Sequence, residues 1–285
     1  MKNNENNSLT IFADKFLAKR ETHLCNASLK KNSIEFLDEI INFLFPQFSS
    51  QDFYESKDVV AKIYTIERNL ISLLKNVYKN DIQIAKKIAK LFTEKIPEIH
   101  DKLWLDADEI YQHDPAAENI DEVILAYPGF IAIAIYRIAH ELYNLDVPII
   151  PRIFTEQGHE KTGIDIHPGA QIESPFFIDH GTGIVIGETT KIGKRVRIYQ
   201  GVTLGALSVD KSLSSTKRHP TIEDDVILYA QAVILGGNTT IGKNSIIGGN
   251  TWITQSIPAN SVVISISEVK VRSSQEVFNT IDFVI

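Results

Sequence analysis

The chain has 285 residues, of which 44% are hydrophobic, and a formal net charge of −7 at pH 7. The negative charge argues against non-specific nucleic-acid binding, and no apolar run reaches the roughly 18–20 residues of a transmembrane helix. The only cysteine, Cys25, excludes an intrachain disulfide, and residues 1–7 lack the apolar core of a signal peptide. These features favour a soluble enzyme of the cytoplasm, and we expect residues 1–7 to be a frayed polar tail.

The first 150 or so residues have the pattern of a helical domain. Apolar residues recur there at spacings of three and four, and capping residues or prolines precede the apolar stretches. The expected helix starts are Ser33, Asp58, Asp81, Pro97, Asp114 and Pro128. The stretch 148–163, with proline, glycine and mixed charges, indicates the end of this domain.

From residue 164 onwards an aliphatic residue returns every six positions. Helices repeat near 3.6 residues and strands near 2, so neither explains this period. A parallel β-helix with three six-residue sides per coil does, and accidental spacing in a β-sandwich is the alternative that we set aside. The four runs are Ile166, Ile172, Ile178 and Ile184; Ile186, Ile192, Ile198 and Leu204; Ile222, Leu228 and Ile234; and Leu235, Ile241, Ile247 and Ile253.

The period is broken at two places. Between residues 179 and 183 the register jumps by two, and residues 206–220, rich in serine, lysine and aspartate, read as a loop thrown out from one corner. Long loops of this kind in compact domains are usually functional or disordered. We therefore predict an α+β chain: a helical domain over 1–155, a parallel β-helix over 156–265 and a C-terminal tail over 266–285.

Two polar clusters lie at these breaks. Asp165 and the pair Asp179-His180 are 14 to 15 residues apart, which places them near the same edge of adjacent coils of about 18 residues. A carboxylate beside an imidazole suits a general base, although each aspartate could instead only end a turn. Arg218-His219 ends the long loop, where an arginine could clamp a small carboxylate or simply be solvated. We expect both clusters to form a single cleft.

Ordered motifs over residues 110–265 resemble those of serine O-acetyltransferases, within the hexapeptide-repeat acyltransferase superfamily. The resemblance implies a left-handed β-helix and direct transfer of acetyl from acetyl-CoA to the hydroxyl of L-serine. The product, O-acetylserine, is the carbon skeleton for cysteine biosynthesis. The motifs are Asp114-Pro115-Ala116, Asp165-Ile166-His167-Pro168-Gly169-Ala170, Asp179-His180-Gly181-Thr182-Gly183, Gly187-Glu188-Thr189, Tyr199-Gln200-Gly201-Val202-Thr203-Leu204-Gly205 and Arg218-His219-Pro220.

The resemblance also implies roles for individual residues. His180 matches the general base, Asp165 its orienting partner and His219 a second imidazole near the hydroxyl. The carboxylates expected to hold the substrate ammonium are Asp114 and Asp179, and Arg218 is expected to hold the substrate carboxylate. Backbone contacts to acetyl-CoA are expected near Gly205, Ala206, Ala230, Gly248 and Gly249, with lysines such as Lys217 as candidates for its phosphates. No metal is implied.

The resemblance extends to assembly. A trimer or a dimer of trimers is implied, with sites shared between subunits, and the terminal Ile285 is expected to dock into O-acetylserine sulfhydrylase. One departure from the family pattern is Tyr229-Ala230-Gln231, where a small Gly-Ala-Gly corner is usual. We expect the larger side chains of Tyr229 and Gln231 to narrow the groove that binds acetyl-CoA.

Three other functions stay open at this point. The chain could acetylate another acceptor, such as a sugar or an antibiotic. It could be a metal-dependent lyase of the γ-carbonic-anhydrase kind, which needs three histidines around one metal; His167, His180 and His219 are the candidates. It could also be a non-catalytic scaffold that binds a sulfhydrylase through its tail.

Overall fold

The structure, a computed structural model, describes residues 2–22, 28–49, 53–78, 81–208 and 216–266. Within these ranges eight helices precede a parallel β-helix of about five coils, which confirms the predicted architecture. Cys25 and Ile285 lie outside the described residues. The helices are α1 (Lys2–Thr22), α2 (Leu29–Leu44), α3 (Ser56–Lys75), α4 (Ile82–Thr93), α5 (Ile96–His113), α6 (Ile120–Ala126), α7 (Pro128–Asn144) and α8 (Ile150–Thr162).

Three of the predicted helix starts are confirmed. Asp81 caps α4, because one of its side-chain oxygens accepts hydrogen bonds from the backbone N–H groups of Gln83 (3.0 Å) and Ile84 (3.2 Å). Pro97 and Pro128 each lie in the first turn of a helix, where the missing N–H costs nothing.

The other predicted starts are wrong. Ser33 is buried inside α2, where its hydroxyl donates to the Leu29 carbonyl (2.7 Å). Asp58 is the third residue of α3 and accepts from the backbone N–H of Glu55, the true N-cap, at 3.1 Å. Asp114 ends α5 instead of starting a helix, and α6 begins only at Ile120.

The polar start of the chain is helical, and so is most of the stretch expected to hold the domain boundary. Helix α1 begins at Lys2, so the polar start is not a frayed tail. Helix α8 runs to Thr162 and crosses the domain boundary expected at residue 155, and the first strand begins at Asp165. The chain therefore passes from helix to β-helix at Gly163, which has a left-handed backbone (φ 71°).

The β-helix consists of three parallel sheets, which we name A, B and C. Each coil contributes one strand of two or three residues to a sheet. Sheet A contains β1 (Asp165–Ile166), β4 (Val185–Ile186), β7 (Thr203–Gly205), β10 (Val233–Leu235) and β13 (Trp252–Ile253). Sheet B contains β2 (Gln171–Ile172), β5 (Lys191–Ile192), β8 (Thr221–Ile222) and β11 (Thr240–Ile241). Sheet C contains β3 (Phe176–Ile178), β6 (Val196–Ile198), β9 (Ile227–Leu228), β12 (Ile246–Ile247) and β14 (Val262–Val263).

The six-residue period corresponds to the inward-facing positions of these strands. In sheet A, Ile166, Ile186 and Leu204 lie in register, and each is at most 2% exposed. The predicted fourth run starts one residue late, because Ile234 and not Leu235 takes the inward position opposite Leu204 and Ile253. Neighbouring coils stack and bury this column of aliphatic side chains, which forms the continuous core of the β-helix.

The corners of the prism carry the polar residues. The chain passes from sheet A to sheet B at the AB corner, whose described residues are 167–170, 187–190, 206–208, 216–220 and 236–239. It passes from sheet C to sheet A at the CA corner (residues 179–184, 199–202, 229–232 and 248–251). The first CA turn has six residues and the other three have four. This two-residue insertion explains the register jump in the sequence.

The helical domain closes the first coil of the prism through polar contacts of α7. Arg137 is 5% exposed and pairs with the fully buried Asp106 of α5 through both side-chain oxygens. Asp106 also accepts from the Phe176 N–H (2.8 Å) and the Ser174 hydroxyl (3.0 Å), while Arg137 donates to the Ile172 carbonyl (3.2 Å). The buried pair thus joins two helices to the turn between β2 and β3.

Among the described residues, no single helix has both the length and the apolar composition of a membrane span. Helices α6 and α7 reach that threshold only as a pair, and they are bent by 73° at their junction.

Candidate active site

His180 lies on the two-residue insertion of the CA corner. Its backbone is left-handed (φ 55°), as is that of Gly181 (φ 82°), where a Cβ would collide with Ile164. A left-handed histidine is uncommon, and strain of this kind clusters at functional sites. The insertion projects the imidazole out of the prism, and the side chain is 70% exposed.

Two aspartates share the CA corner with His180. The Asp179 carboxylate is 3.4 Å from the imidazole Nδ1 and is only 18% exposed. Asp165 begins β1, where its N–H donates to the Ile184 carbonyl (2.9 Å), so it lies at the same corner. Within the described part of the chain its side chain makes no hydrogen bond. Among the described residues Asp179 is thus the carboxylate in contact with the imidazole, and the orienting role expected of Asp165 stays a prediction.

Asp114 comes to this corner from the helical domain. Its Oδ2 accepts a hydrogen bond from the Tyr127 hydroxyl (2.6 Å), and its Oδ1 accepts from the Ala116 N–H (2.9 Å). The Tyr127–Asp114 hydrogen bond is the largest of the effects that raise the pKa of Tyr127, and the charges of Asp114 and Asp179 add to it. The CA corner is therefore an acidic site with one imidazole.

Arg218 and His219 lie instead at the AB corner, at the end of the long loop. The Arg218 guanidinium pairs with the Glu188 carboxylate, which also accepts from the Tyr143 hydroxyl (2.9 Å). Burial opposes ionisation of Glu188, but these two hydrogen bonds outweigh it and lower the pKa of Glu188. Beside this pair is a cleft of about 430 Å³ lined by Tyr143, Glu188, Thr189 and Lys217, among others.

Thr189 fixes the imidazole of His219. Its backbone N–H donates to Nδ1 (3.1 Å), and its hydroxyl lies 2.9 Å from the same atom. Nδ1 is therefore the unprotonated nitrogen, and the neutral ring carries its proton on Nε2. Burial, followed by the charge of Arg218, lowers the pKa of His219 to about 4. A Cβ at Gly187 would collide with the ring, so only glycine leaves room for it.

The two clusters do not meet within one chain. The strands of sheet A separate the CA corner from the AB corner, because β4 lies between His180 and Glu188. The side of the prism between the two corners is about five extended residues long, so the corners are roughly 16 Å apart. The expected single cleft therefore cannot form from one copy. What one chain presents is an acidic half with His180 at one corner and, at the other, a half with the Arg218 guanidinium, which pairs with Glu188, and the neutral imidazole of His219.

The residues expected near acetyl-CoA are also divided between the corners. Gly205 and Ala206 lie at the AB corner, whereas Ala230, Gly248 and Gly249 lie at the CA corner. The Gly248 N–H donates to Val263 (2.8 Å), and the Ala230 carbonyl accepts from Asn250 (3.0 Å). These two backbone groups are therefore already hydrogen-bonded within the β-helix. They leave a ligand only van der Waals contact.

Two side chains lie near the positions expected to contact acetyl-CoA. The Tyr229 ring stacks on Tyr199 at 5.2 Å, so it fills the corner that is small in the family pattern. The Lys217 ammonium donates to the carbonyls of Thr189 (3.0 Å), His219 and Pro220 (3.2 Å). Lys217, one of the candidates for the phosphates, therefore already holds the end of the loop.

Acidification is expected to destabilise the fold between about pH 6.5 and pH 4. The pKa of His167 and of His219 is about 4 in the folded protein, in both cases mainly because of burial. Histidine in the unfolded chain has a pKa of about 6.5, so between these two values the unfolded chain binds more protons than the folded one. The free energy of unfolding therefore decreases as the pH is lowered through this interval. Thermal unfolding at pH 7.5 and pH 5 measures the effect.

The His167→Gln/His219→Gln double variant should lose less stability over this interval than the wild type. His159→Gln, at an exposed histidine of α8, is the matched control and should keep the wild-type slope. Equal slopes for all three proteins would contradict the assignment.

The chain is similar in sequence and in fold to known proteins. No protein-family model matches the chain. A plasmid-encoded serine acetyltransferase of Synechococcus elongatus is 50% identical over 196 residues, covering 67% of this chain and 60% of that protein. A serine acetyltransferase of Bacillus licheniformis is 45% identical over 161 residues, covering 56% of this chain and 72% of that protein. The chain thus spans about three fifths of the length of the first relative.

Solved structures of serine acetyltransferases are also similar to this chain. Serine acetyltransferase 1 of Entamoeba histolytica in complex with L-cysteine has a TM-score of 0.73 and 37% identity, covering 80% of this chain and 86% of that one. The serine acetyltransferase of Neisseria gonorrhoeae in complex with serine has a TM-score of 0.58 and 30% identity, covering 74% and 89%.

Proposed function

Because the chain belongs to the serine acetyltransferase family, we propose that it transfers the acetyl group of acetyl-CoA to the hydroxyl of L-serine. O-acetylserine and CoA are the products, and the reaction begins cysteine biosynthesis in the cytoplasm. The observation that carries this proposal is the division of charge between the two corners. A zwitterionic amino acid needs carboxylates for its ammonium and a cation for its carboxylate, and the chain supplies one set at each corner.

In this proposal His180 is the general base. It accepts the proton of the serine hydroxyl while the oxygen attacks the carbonyl carbon of the thioester. The C–S bond then breaks, and the departing thiolate takes the proton from His180, so no acyl-enzyme forms. A positioned base of this kind contributes about 10²–10⁴-fold in rate. Asp179 contacts the imidazole, and an orienting role for Asp165 rests on the family resemblance alone.

The remaining residues bind the amino acid. Asp114 and Asp179 receive the ammonium, and Arg218 receives the carboxylate while it keeps its contact with Glu188, since a guanidinium has five donors. His219 offers its Nε2 proton to the oxygen that reacts or to the substrate carboxylate. L-cysteine, which is bound in one of the Entamoeba structures, is proposed to occupy the same pocket.

A complete site then requires two copies of the chain. Since the two halves lie at opposite ends of sheet A, prisms arranged side by side around a threefold axis bring the CA corner of one copy to the AB corner of the next. Acetyl-CoA is proposed to lie along this junction, near Gly205 and Ala206 of one copy and Ala230, Gly248 and Gly249 of the other. Docking of Ile285 into a sulfhydrylase stays part of the proposal on resemblance alone, and we propose no metal.

The reaction is tested by thiol release from acetyl-CoA with a panel of acceptors that includes L-serine, other amino acids, sugars and aminoglycosides. We expect release with L-serine. Release only with a sugar or aminoglycoside would show an acetyltransferase for another acceptor. Failure to release thiol with any acceptor would favour a non-catalytic role.

The shared site makes a quantitative prediction for mixed oligomers. The His180→Asn and Arg218→Ala variants should each be inactive alone. When they are co-expressed in equal amounts, a junction is intact only if His180 comes from one variant and Arg218 from the other, which gives about one quarter of wild-type activity.

The control for this experiment mixes the wild type with the His180→Asn/Arg218→Ala double variant. A shared site predicts about one quarter of full activity here as well, whereas a site within one chain predicts about one half. No recovery in the first mixture together with one half in the control would overturn the shared site.

A further inference from the structure

Tyr127 occupies a fixed position between the helical domain and the CA corner. It joins α6 to α7, and its backbone accepts from the Ile131 N–H and donates to the Val123 carbonyl, both at 3.2 Å. Two residues on, Gly129 packs so tightly against the Ile178 carbonyl that a Cβ would collide with it. Ile178 directly precedes Asp179. The junction that carries Tyr127 is therefore docked on the strand that leads into the candidate site.

The Tyr127 hydroxyl makes a short hydrogen bond to one carboxylate of that site. It donates to Asp114 Oδ2 at 2.6 Å, while Oδ1 of the same carboxylate accepts from Ala116. Hydrogen bonds from a hydroxyl to a charged oxygen in this distance range are about twice as strong as neutral ones. Each oxygen still has a lone pair for a ligand. The contact thus fixes the rotation of the Asp114 carboxylate without closing it to a substrate.

The electrostatic environment keeps Tyr127 protonated. Its hydrogen bond to Asp114, followed by burial and the charges of Asp114, Glu122 and Asp179, raises its pKa. A neutral phenol that donates to Oδ2 holds the Asp114 carboxylate in place without adding a charge beside it.

We propose that Tyr127 is a positioning residue that holds Asp114 ready for the ammonium group of the amino-acid substrate. This inference rests on the proposed function, because it names the part of the site that selects an amino acid. Sequence reasoning did not single out Tyr127. The residue is 13 positions from Asp114, on the far side of a helix whose start was misplaced.

The test is the Tyr127→Phe variant, assayed by thiol release with L-serine and acetyl-CoA varied in turn. We expect KM for L-serine to rise about tenfold, as for loss of one hydrogen bond to a charged group, with kcat within about threefold of wild type and KM for acetyl-CoA unchanged. Tyr199→Phe is the matched control. Tyr199 lies at the same CA corner and keeps its stacking on Tyr229 as phenylalanine, and within the described residues its hydroxyl makes no hydrogen bond.

A double-mutant cycle separates positioning from a purely structural role. In the Asp114→Asn background, Tyr127→Phe should have little further effect on KM for serine, since the carboxylate through which it acts is gone. A structural role would add its full cost there and would lower the thermal midpoint. A wild-type KM in Tyr127→Phe, an equal rise in Tyr199→Phe, or additive effects in the cycle would each overturn the inference.

Failure of the proposed function has a different signature. Wild-type protein that releases no thiol with L-serine would remove that function. If the panel then finds another acceptor that carries an ammonium group, the same KM comparison is made with that acceptor. If every accepted substrate lacks an ammonium group, the role of Tyr127 is refuted together with the function.

Discussion

Replacement of His180 by asparagine is expected to lower kcat of acetyl transfer by about 100- to 10,000-fold, the range that a positioned general base contributes. Asparagine is the suitable replacement because it tolerates the left-handed backbone (φ 55°) better than alanine does. The side chain is 70% exposed, so the fold should not change. The measurement is steady-state thiol release, with circular dichroism to verify the fold.

The control for this experiment is His159→Asn, which removes an exposed imidazole on α8. It should keep wild-type kcat and KM. Because a general base acts only in the transition state, the His180 variant should lose kcat with little change in KM for serine. Near wild-type turnover in His180→Asn would remove His180 from its proposed role, whatever the other residues do.

Replacement of Asp106 by asparagine is expected to destabilise the protein by about 3 kcal/mol or more, because it leaves the Arg137 guanidinium buried without its counter-charge. The loss corresponds to a drop in thermal midpoint on the order of 10 °C. Thermal unfolding followed by circular dichroism measures it. Since Asp106 also fixes the turn at Ser174 and Phe176, the first coil should loosen from the helical domain.

Asp225→Asn makes the same chemical change in an exposed ion pair. Asp225 binds Arg195 through two hydrogen bonds of 2.6 and 2.8 Å, and both side chains are more than a third exposed. Water screens such a pair, so its loss should leave the midpoint almost unchanged. Similar midpoints for Asp106→Asn and Asp225→Asn would mean that burial does not set the strength of the Asp106 contact.

The β-helix could be predicted from the sequence because its order is local. Each coil repeats the same six-residue unit, and the inward aliphatic residue appears at a fixed spacing without knowledge of any distant contact. The two breaks in the period were also visible, and the first of them is the insertion that carries His180. The candidate residues at the corners followed from these breaks.

The contacts between distant segments could not be predicted. Asp106 and Arg137 lie 31 positions apart on two helices, and no local pattern indicates that they pair. The sequence Asp-Pro-Ala is typical of helix starts, so Asp114 was predicted to begin a helix. In the structure it follows the end of α5 instead. The division of the site was hidden because the loop 206–220 has no six-residue period, so the corner that Arg218 reaches could not be counted.

The first CA turn is two residues longer than the other three, and it carries His180. If His180 and Gly181 were deleted, that turn would have the same four residues as its three neighbours, and the prism would lose its two consecutive left-handed residues. The shortened chain would be a more uniform stack and a less strained one, with no imidazole projecting from that edge. The insertion is thus what gives this corner the imidazole to which the proposed mechanism assigns the proton transfer.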